Sequence, residues 1–136
     1  MSTLNAVNLK NSGSAGNNIV LGTSGRTTCL SANSTPVVLT DGATVTPDFN
    51  AGNNFSLTLG GNRTLANPTN LTSGQSGSIV ITQDATGGRT LAYGSYWKFP
   101  GGTAPTLTPT ANAVDVLAYY AESATRIAAN LIKDVK

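Results

Sequence analysis

The fold is decided by the stretch Phe55-Ser56-Leu57-Thr58-Leu59, which runs directly into Gly60-Gly61-Asn62. Apolar and polar side chains alternate in it with a period of two, which is the pattern of a β-strand with one buried face. A glycine pair followed by asparagine is typical of a tight turn. The stretch therefore predicts a strand that ends in a β-hairpin, with residues 63–66 as the returning strand.

Similar segments recur on both sides of this stretch at intervals of about 8 to 12 residues, a spacing typical of sandwiches and barrels. Turn residues such as Asp41-Gly42, Asn67-Pro68 and Gly87-Gly88 separate them. We therefore predict an all-β domain over residues 35–136, an antiparallel β-sandwich of jelly-roll type that is closed by a C-terminal hairpin.

The first strand of that hairpin has two partly apolar faces. One face carries Val114, Val116, Ala118 and Tyr120, and the other carries Asp115, Leu117 and Tyr119. A strand that is apolar on both faces is either central in its fold or covered by another subunit. We predict that Leu117 and Tyr119 point outward and form an oligomer interface.

Residues 1–34 differ from the rest of the chain because they are rich in Asn, Ser and Gly. Two short apolar patches interrupt them and contain Val7, Leu9, Ile19, Val20 and Leu21. Patches of this length suit the addition of a strand to a neighbouring protein. We predict an extended N-terminal arm that binds a partner through these five side chains. The alternative is a disordered tail, since glycine-rich segments lose much entropy on ordering.

The composition disfavours most enzymatic chemistry. The 136 residues include no histidine and one cysteine, which removes histidine-based triads and zinc sites with several cysteines. Only 10% of the residues are charged, and the net charge of +2 comes without a basic run, so nucleic acid is a disfavoured partner. We find neither a signal-peptide pattern nor an apolar run long enough to span a membrane. We expect a protein made in a cytoplasm that is not an enzyme and has no cofactor or metal.

Four aromatic residues, Tyr93, Tyr96, Trp97 and Phe99, lie close together in the chain. Large aromatic side chains most often fill a core or a subunit interface, because each buries about 150–250 Å². The alternative is that they stack on a sugar ring, which would make this segment a glycan site.

The carboxylates Asp41, Asp48, Asp84 and Asp115 are scattered along the chain. Asp41 and Asp84 precede turn residues, and we interpret them as side chains that bond their own backbone. None of the four forms the close acidic pair that a glycosidase uses. A calcium site built from two of them is the minor alternative.

Two other features have ordinary interpretations. Cys29 is expected to be a small buried hydrophobe rather than a cross-link, since a cytoplasm is reducing. The glycosylation pattern occurs at Asn33, Asn54, Asn62 and Asn70. In a chain so rich in Asn, Ser and Thr, such matches arise by chance.

Several of these stretches together resemble a small β-sandwich module of tailed-bacteriophage virion proteins. They are residues 41–48, 55–68, 74–77, 79–84, 87–91 and 107–117, and the likeness spans about residues 36–136. The resemblance implies a structural protein of the virion, made in the host cytoplasm, that assembles as a homotrimer.

The resemblance does not say where in the virion the protein is located. Our first expectation is a capsid decoration (cement) protein that binds the head surface through the major capsid protein or another virion protein. The alternative is a tail-fibre or tail-tip component that contacts a host surface glycan. A glycan-cleaving depolymerase is a third and disfavoured possibility, because the acidic pair is missing.

Overall fold

A computed structural model describes residues 35–136, and its regular structure is almost entirely β. The strands are β1 (Val37–Val38), β2 (Thr44–Val45), β3 (Asn54–Leu59), β4 (Arg63–Leu65), β5 (Ser76–Gln83), β6 (Leu91–Tyr93), β7 (Trp97–Lys98), β8 (Val114–Ser123) and β9 (Arg126–Ile132). The predicted all-β class is confirmed. Within these residues the one helical segment is the short 3-10 turn Pro100–Gly102, and no helix could cross a membrane.

The predicted arm over residues 1–34 lies outside the described residues. The same holds for its proposed contact residues Val7, Leu9, Ile19, Val20 and Leu21, and for Cys29.

The strands form two sheets, and the first six strands alternate between them. The larger sheet has the order β1-β3-β5-β8-β9-β7, and the smaller sheet has the order β2-β4-β6. Each successive pair, β1/β2, β3/β4 and β5/β6, therefore contributes one strand to each sheet. We call each pair a rung and the three together the rung stack. Neighbouring rungs pair in parallel in both sheets.

The antiparallel arrangement expected from the sequence is thus wrong for most of the fold. Only β8 pairs antiparallel, with β5 on one side and β9 on the other, and β7 joins β9 in parallel. The turn at Gly60-Gly61-Asn62 does not close a hairpin, because it carries the chain from β3 in the larger sheet to β4 in the smaller one. Directly after it, the Arg63 guanidinium donates two hydrogen bonds to the Asp41 carboxylate of the preceding rung, at 2.8 and 2.6 Å. This contact stabilises β4 against the previous rung.

The core lies between the two sheets and is built from the inward residues of each alternating strand. In β3 these are Phe55, Leu57 and Leu59, all at most 1% exposed. The smaller sheet contributes Val45 and Leu65, which pair with each other across the rungs. Burial of each such side chain stabilises the fold by about 1.5–3 kcal/mol, so the period of two is strongly enforced.

In the β8–β9 hairpin, the structure contradicts the predicted oligomer interface. Leu117 and Tyr119 are 0% and 5% exposed and lie in the core of the chain itself, so they do not point outward. Asp115 shares their row and is also buried, because its carboxylate accepts hydrogen bonds from the backbone N–H groups of Thr108 (2.7 Å) and Asp134 (2.8 Å). A row that contains an aspartate ordinarily faces solvent. Here the backbone satisfies the charge, and the Val114 row faces outward instead.

Asparagine side chains connect successive rungs at their corners. Asn62 Oδ1 accepts from the Thr90 N–H of the next rung at 3.0 Å, and Asn54 Oδ1 accepts from the Ser78 N–H and Oγ. Asn70 donates to the Asp48 carboxylate at 2.7 Å. These three residues begin glycosylation patterns that the sequence analysis attributes to chance. Their amides bond between rungs without adding charge.

Candidate functional site

The aromatic segment divides into a buried part and an accessible part. Trp97 is 4% exposed, packs edge-on against Phe49 (6.4 Å) and Tyr119 (6.2 Å), and donates from Nε1 to the Ala66 carbonyl at 3.0 Å. The core interpretation is therefore correct for Trp97. Tyr93 and Phe99 are only partly buried and pack edge-to-face at 4.6 Å.

Two neighbouring depressions open beside this accessible part. The first has a volume of about 520 Å³ and is lined by Tyr93, Lys98, Phe99 and Arg126, among others. The second has a volume of about 510 Å³ and adds Tyr120 to Lys98, Phe99 and Arg126. Because three residues line both, the depressions are adjacent. We call these five residues the β7 site.

The strand register explains why these residues meet. In β7 the alternation turns Trp97 into the core and Lys98 outward. Lys98 is paired with Ala128 of β9, and Ala128 is paired in turn with Tyr120 of β8. The small alanine side chain stands between two large ones, which leaves the second depression open. Residues far apart in the chain are thus placed in one row.

The β7 site and the adjacent Glu122 together carry a small net positive charge. Arg126 Nε donates to Glu122 Oε2 at 2.7 Å, and both side chains are substantially exposed, at 53% and 39%. Lys98 is exposed and makes no ion pair with any residue of 35–136. The site therefore offers one uncompensated cation beside an ion pair whose hydrogen-bonding groups still reach solvent.

The Tyr93 hydroxyl is buried and finds no hydrogen-bond partner among residues 35–136. Burial, with a smaller contribution from the Asp115 carboxylate, raises the pKa of Tyr93 to about 12. The phenol therefore keeps its proton at neutral pH. Buried donors without partners are uncommon, so this hydroxyl is an unusual feature of the region beside the first depression.

Each of the four aspartates has hydrogen-bond partners within residues 35–136. Asp84 Oδ1 accepts from the backbone N–H groups of Thr86 (3.0 Å) and Gly87 (2.9 Å), as predicted for a turn residue. The hydrogen bond from Arg89 lowers the pKa of Asp84, and that from Arg63 lowers the pKa of Asp41. Asp48 bonds the backbone of Asn50 and the amide of Asn70. Within residues 35–136, no three His, Cys, Asp or Glu side chains cluster as metal ligands would.

The chemistry of the β7 site suits a carbohydrate. Aromatic faces carry partial negative charge and pack well against the C–H groups of a sugar ring. Tyr120 is 52% exposed, and Asn130, Glu122 and Lys98 beside it supply both donors and acceptors for hydroxyl groups. Sequence reasoning identified Tyr93 and Phe99 but missed Lys98, Tyr120 and Arg126. They join the site only through the pairing of β7, β8 and β9.

The comparisons with known proteins agree with the resemblance seen in the sequence. Residues 45–121, more than half of the chain, match the family described as "Putative phage tail fibre C-terminal domain". The matched part begins in the first rung and ends in β8, so it includes the second and third rungs and the aromatic segment. No significant match was found among curated proteins or among solved structures.

Proposed function

The chain belongs to the phage tail fibre C-terminal domain family, and we propose that it serves in the tail fibre as a non-enzymatic module that contacts a glycan of the host surface. Membership makes it a component of the virion. It favours the tail fibre over capsid decoration, which the sequence analysis placed first. The observation that carries the proposal is the family match over residues 45–121, because it spans the segment from which Tyr93, Lys98 and Phe99 of the β7 site come.

The physical properties of the β7 site support a glycan over other ligands. Its two shallow, adjacent depressions have the size of small-ligand sites and could each accommodate part of an oligosaccharide. One exposed aromatic ring, one edge-to-face pair and several uncompensated hydrogen-bonding groups match the mixed apolar and hydroxyl surface of a sugar. The exposed Lys98 further favours an acidic sugar unit over a neutral one.

The location of the protein in the virion is tested in two ways. Purified virions are labelled with antibodies against residues 35–136, and the copies per particle are counted by mass spectrometry. A fibre component should be labelled at the tail and be present in tens of copies. Label spread over the head, with hundreds of copies, would support capsid decoration and contradict the tail-fibre proposal.

Glycan contact is tested by competition. The purified chain should slow phage adsorption to host cells, and Tyr120→Ala and Lys98→Ala should each weaken that inhibition by about tenfold, the effect of losing about 1.4 kcal/mol of binding. Lys133→Ala is the matched control, since Lys133 is exposed but lies outside the lining of both depressions. Equal inhibition by all variants would exclude the β7 site as the contact. Release of soluble sugar from host polysaccharide would instead indicate an enzyme.

A further inference from the structure

The two depressions of the β7 site meet at its two cations. Lys98 and Arg126 line both depressions, together with Phe99, whereas Tyr93 lines the first alone and Tyr120 the second alone. A chain of sugar units that occupies both depressions must therefore pass over Lys98 and Arg126. We call the place where these two side chains lie the junction. The charge of the sugar unit at the junction is what the two cations can select.

The strand register places both cations on one side of the sheet. Lys98 of β7 pairs with Ala128 of β9, and Arg126 lies two residues before Ala128 on the same strand. Side chains two residues apart on a strand share a face, so both cations lie on the outer face, about 8 Å apart at their Cα atoms. Both are exposed and both are long and flexible, so their charged ends can converge on one anionic group.

The Arg126 guanidinium is held at one edge and is open at the other. A register shift in the β8–β9 pair leaves Glu122 and Ser123 together opposite Arg126. Glu122 Oε2 accepts from Arg126 Nε at 2.7 Å, and neither Nη nitrogen of Arg126 has a hydrogen-bond partner among residues 35–136. A planar carboxylate matches such a pair of nitrogens with two parallel hydrogen bonds.

We propose that the two Nη nitrogens of Arg126 bind the carboxylate of an acidic sugar unit at the junction, with Lys98 as the second cation. This inference rests on the proposed function, because it names the class of sugar that the β7 site takes. Lys98 and Arg126 beside Glu122 amount to two positive charges and one negative charge, which leaves one positive charge. A single carboxylate balances it.

The aromatic rings on either side of the junction suit further sugar units. Tyr120 is 52% exposed in the second depression, and Phe99 packs edge-to-face on Tyr93 at the first. Such rings pack against the C–H groups of a sugar and contribute little to the choice between an acidic and a neutral unit. That choice is therefore made at the junction. The ligand that fits is an oligosaccharide in which a carboxylated unit lies between two others.

The test compares the host surface polysaccharide before and after its carboxyl groups are reduced to primary alcohols. This treatment removes the negative charge and keeps the sugar rings and their linkages. Each form is immobilised, and the dissociation constant of the purified full chain is measured on both. The wild type should bind the reduced form at least about tenfold more weakly, because a charge-assisted contact with two hydrogen bonds is lost.

Arg126→Gln should bind the native form about as weakly as the wild type binds the reduced form. Reduction should then change the binding of this variant much less than about tenfold, since the pair of donors is already gone. Lys133→Gln is the matched control, because it also removes an exposed positive charge but lies outside the lining of both depressions. It should keep the full dependence on the carboxyl group.

Equal binding of both forms by the wild type would overturn this inference, also where sulfate or phosphate carries the charge of the polysaccharide. It would leave the β7 site as a glycan contact. An Arg126→Gln variant that keeps the full dependence would overturn it as well, because the carboxylate would then be bound elsewhere. A wild type that binds neither form would contradict the proposed function itself, and this inference with it.

Discussion

The rung stack and the C-terminal hairpin are built from strands with the same alternation, yet the chain leaves those strands in different ways. After β3 it crosses to the smaller sheet, whereas after β8 it returns beside the strand that it has just left. In the hairpin, Arg126 bonds Glu122 four residues earlier, while in the stack Arg63 bonds Asp41 of the preceding rung. The comparison teaches that strands with the same alternation can be followed by a hairpin or by a crossing to the other sheet, and that the ion pair after each turn is local in the first case and between rungs in the second.

The largest effect is expected where the stack meets the hairpin. Gly77 in β5 is opposite Tyr119 in β8, and a Cβ atom at Gly77 would overlap the Asn53 carbonyl group. Gly77→Ala should lower the free energy of unfolding by about 3 kcal/mol or more, because backbone must shift at a fully packed contact. Urea denaturation measures this.

Gly42→Ala is the control for that substitution, because its Cβ would have only the Thr44 carbonyl oxygen within 4 Å, at 3.8 Å. It should change stability by about 1 kcal/mol or less. If both alanine variants were equally stable, the contact between Gly77 and the backbone at Asn53 would be looser than the structure shows.

Alkaline pH should lower the free energy of unfolding through one tyrosine in the rung stack and one in the C-terminal hairpin. Burial raises the pKa of Tyr93 in the stack and of Tyr119 in the hairpin to about 12, whereas an unfolded tyrosine has a pKa of about 10. The folded state therefore holds these protons more tightly. Their contribution to stability is complete below about pH 10 and is lost as the pH rises towards about 12. Denaturation curves at stepwise alkaline pH measure the loss, and Tyr93→Phe should reduce it.

At neutral pH, removing the hydroxyl group should change the stability of the protein differently at these two tyrosines. Tyr119 Oη donates to the Asn53 carbonyl at 2.5 Å, so Tyr119→Phe should cost about 1–2 kcal/mol. The Tyr93 hydroxyl has no partner within residues 35–136, so Tyr93→Phe should leave stability unchanged or slightly raise it. Thermal unfolding of both variants makes the comparison. A large loss on Tyr93→Phe would reveal a partner for its hydroxyl outside the described residues.

The smallest expected effect is the difference in stability loss between replacing an asparagine at a corner of the rung stack and replacing one on the hairpin. Asn62→Ala removes the hydrogen bond that the Thr90 N–H donates, and we expect a loss of about 1 kcal/mol. Asn130 is exposed on β9, and Asn130→Ala should be nearly neutral. Chemical denaturation of both variants measures the difference. Equal values for the two variants would mean that the Asn62 side chain does not help to hold the rungs together.

Part of the candidate site could be predicted from the sequence. The aromatic segment and its two interpretations were visible, and the structure assigns the core interpretation to Trp97 and an accessible position to Phe99. Tyr120 and Arg126 carried no such signal, because each looks like an ordinary exposed residue of a hairpin. Only the parallel pairing of β7 with β9 brings Lys98 into their row.

The sequence by itself determined the all-β class, because a period of two with frequent turn residues has no helical solution. It also determined which side chains share a face of each strand, as with Leu117 and Tyr119 opposite Val114. The tertiary structure decided which face is inward and which sheet each strand joins. Both depend on partners distant in the chain, such as the backbone donors that let Asp115 be buried and the Asp41 carboxylate that holds Arg63. Local alternation is identical for either face and for either sheet, so only these distant contacts select between them.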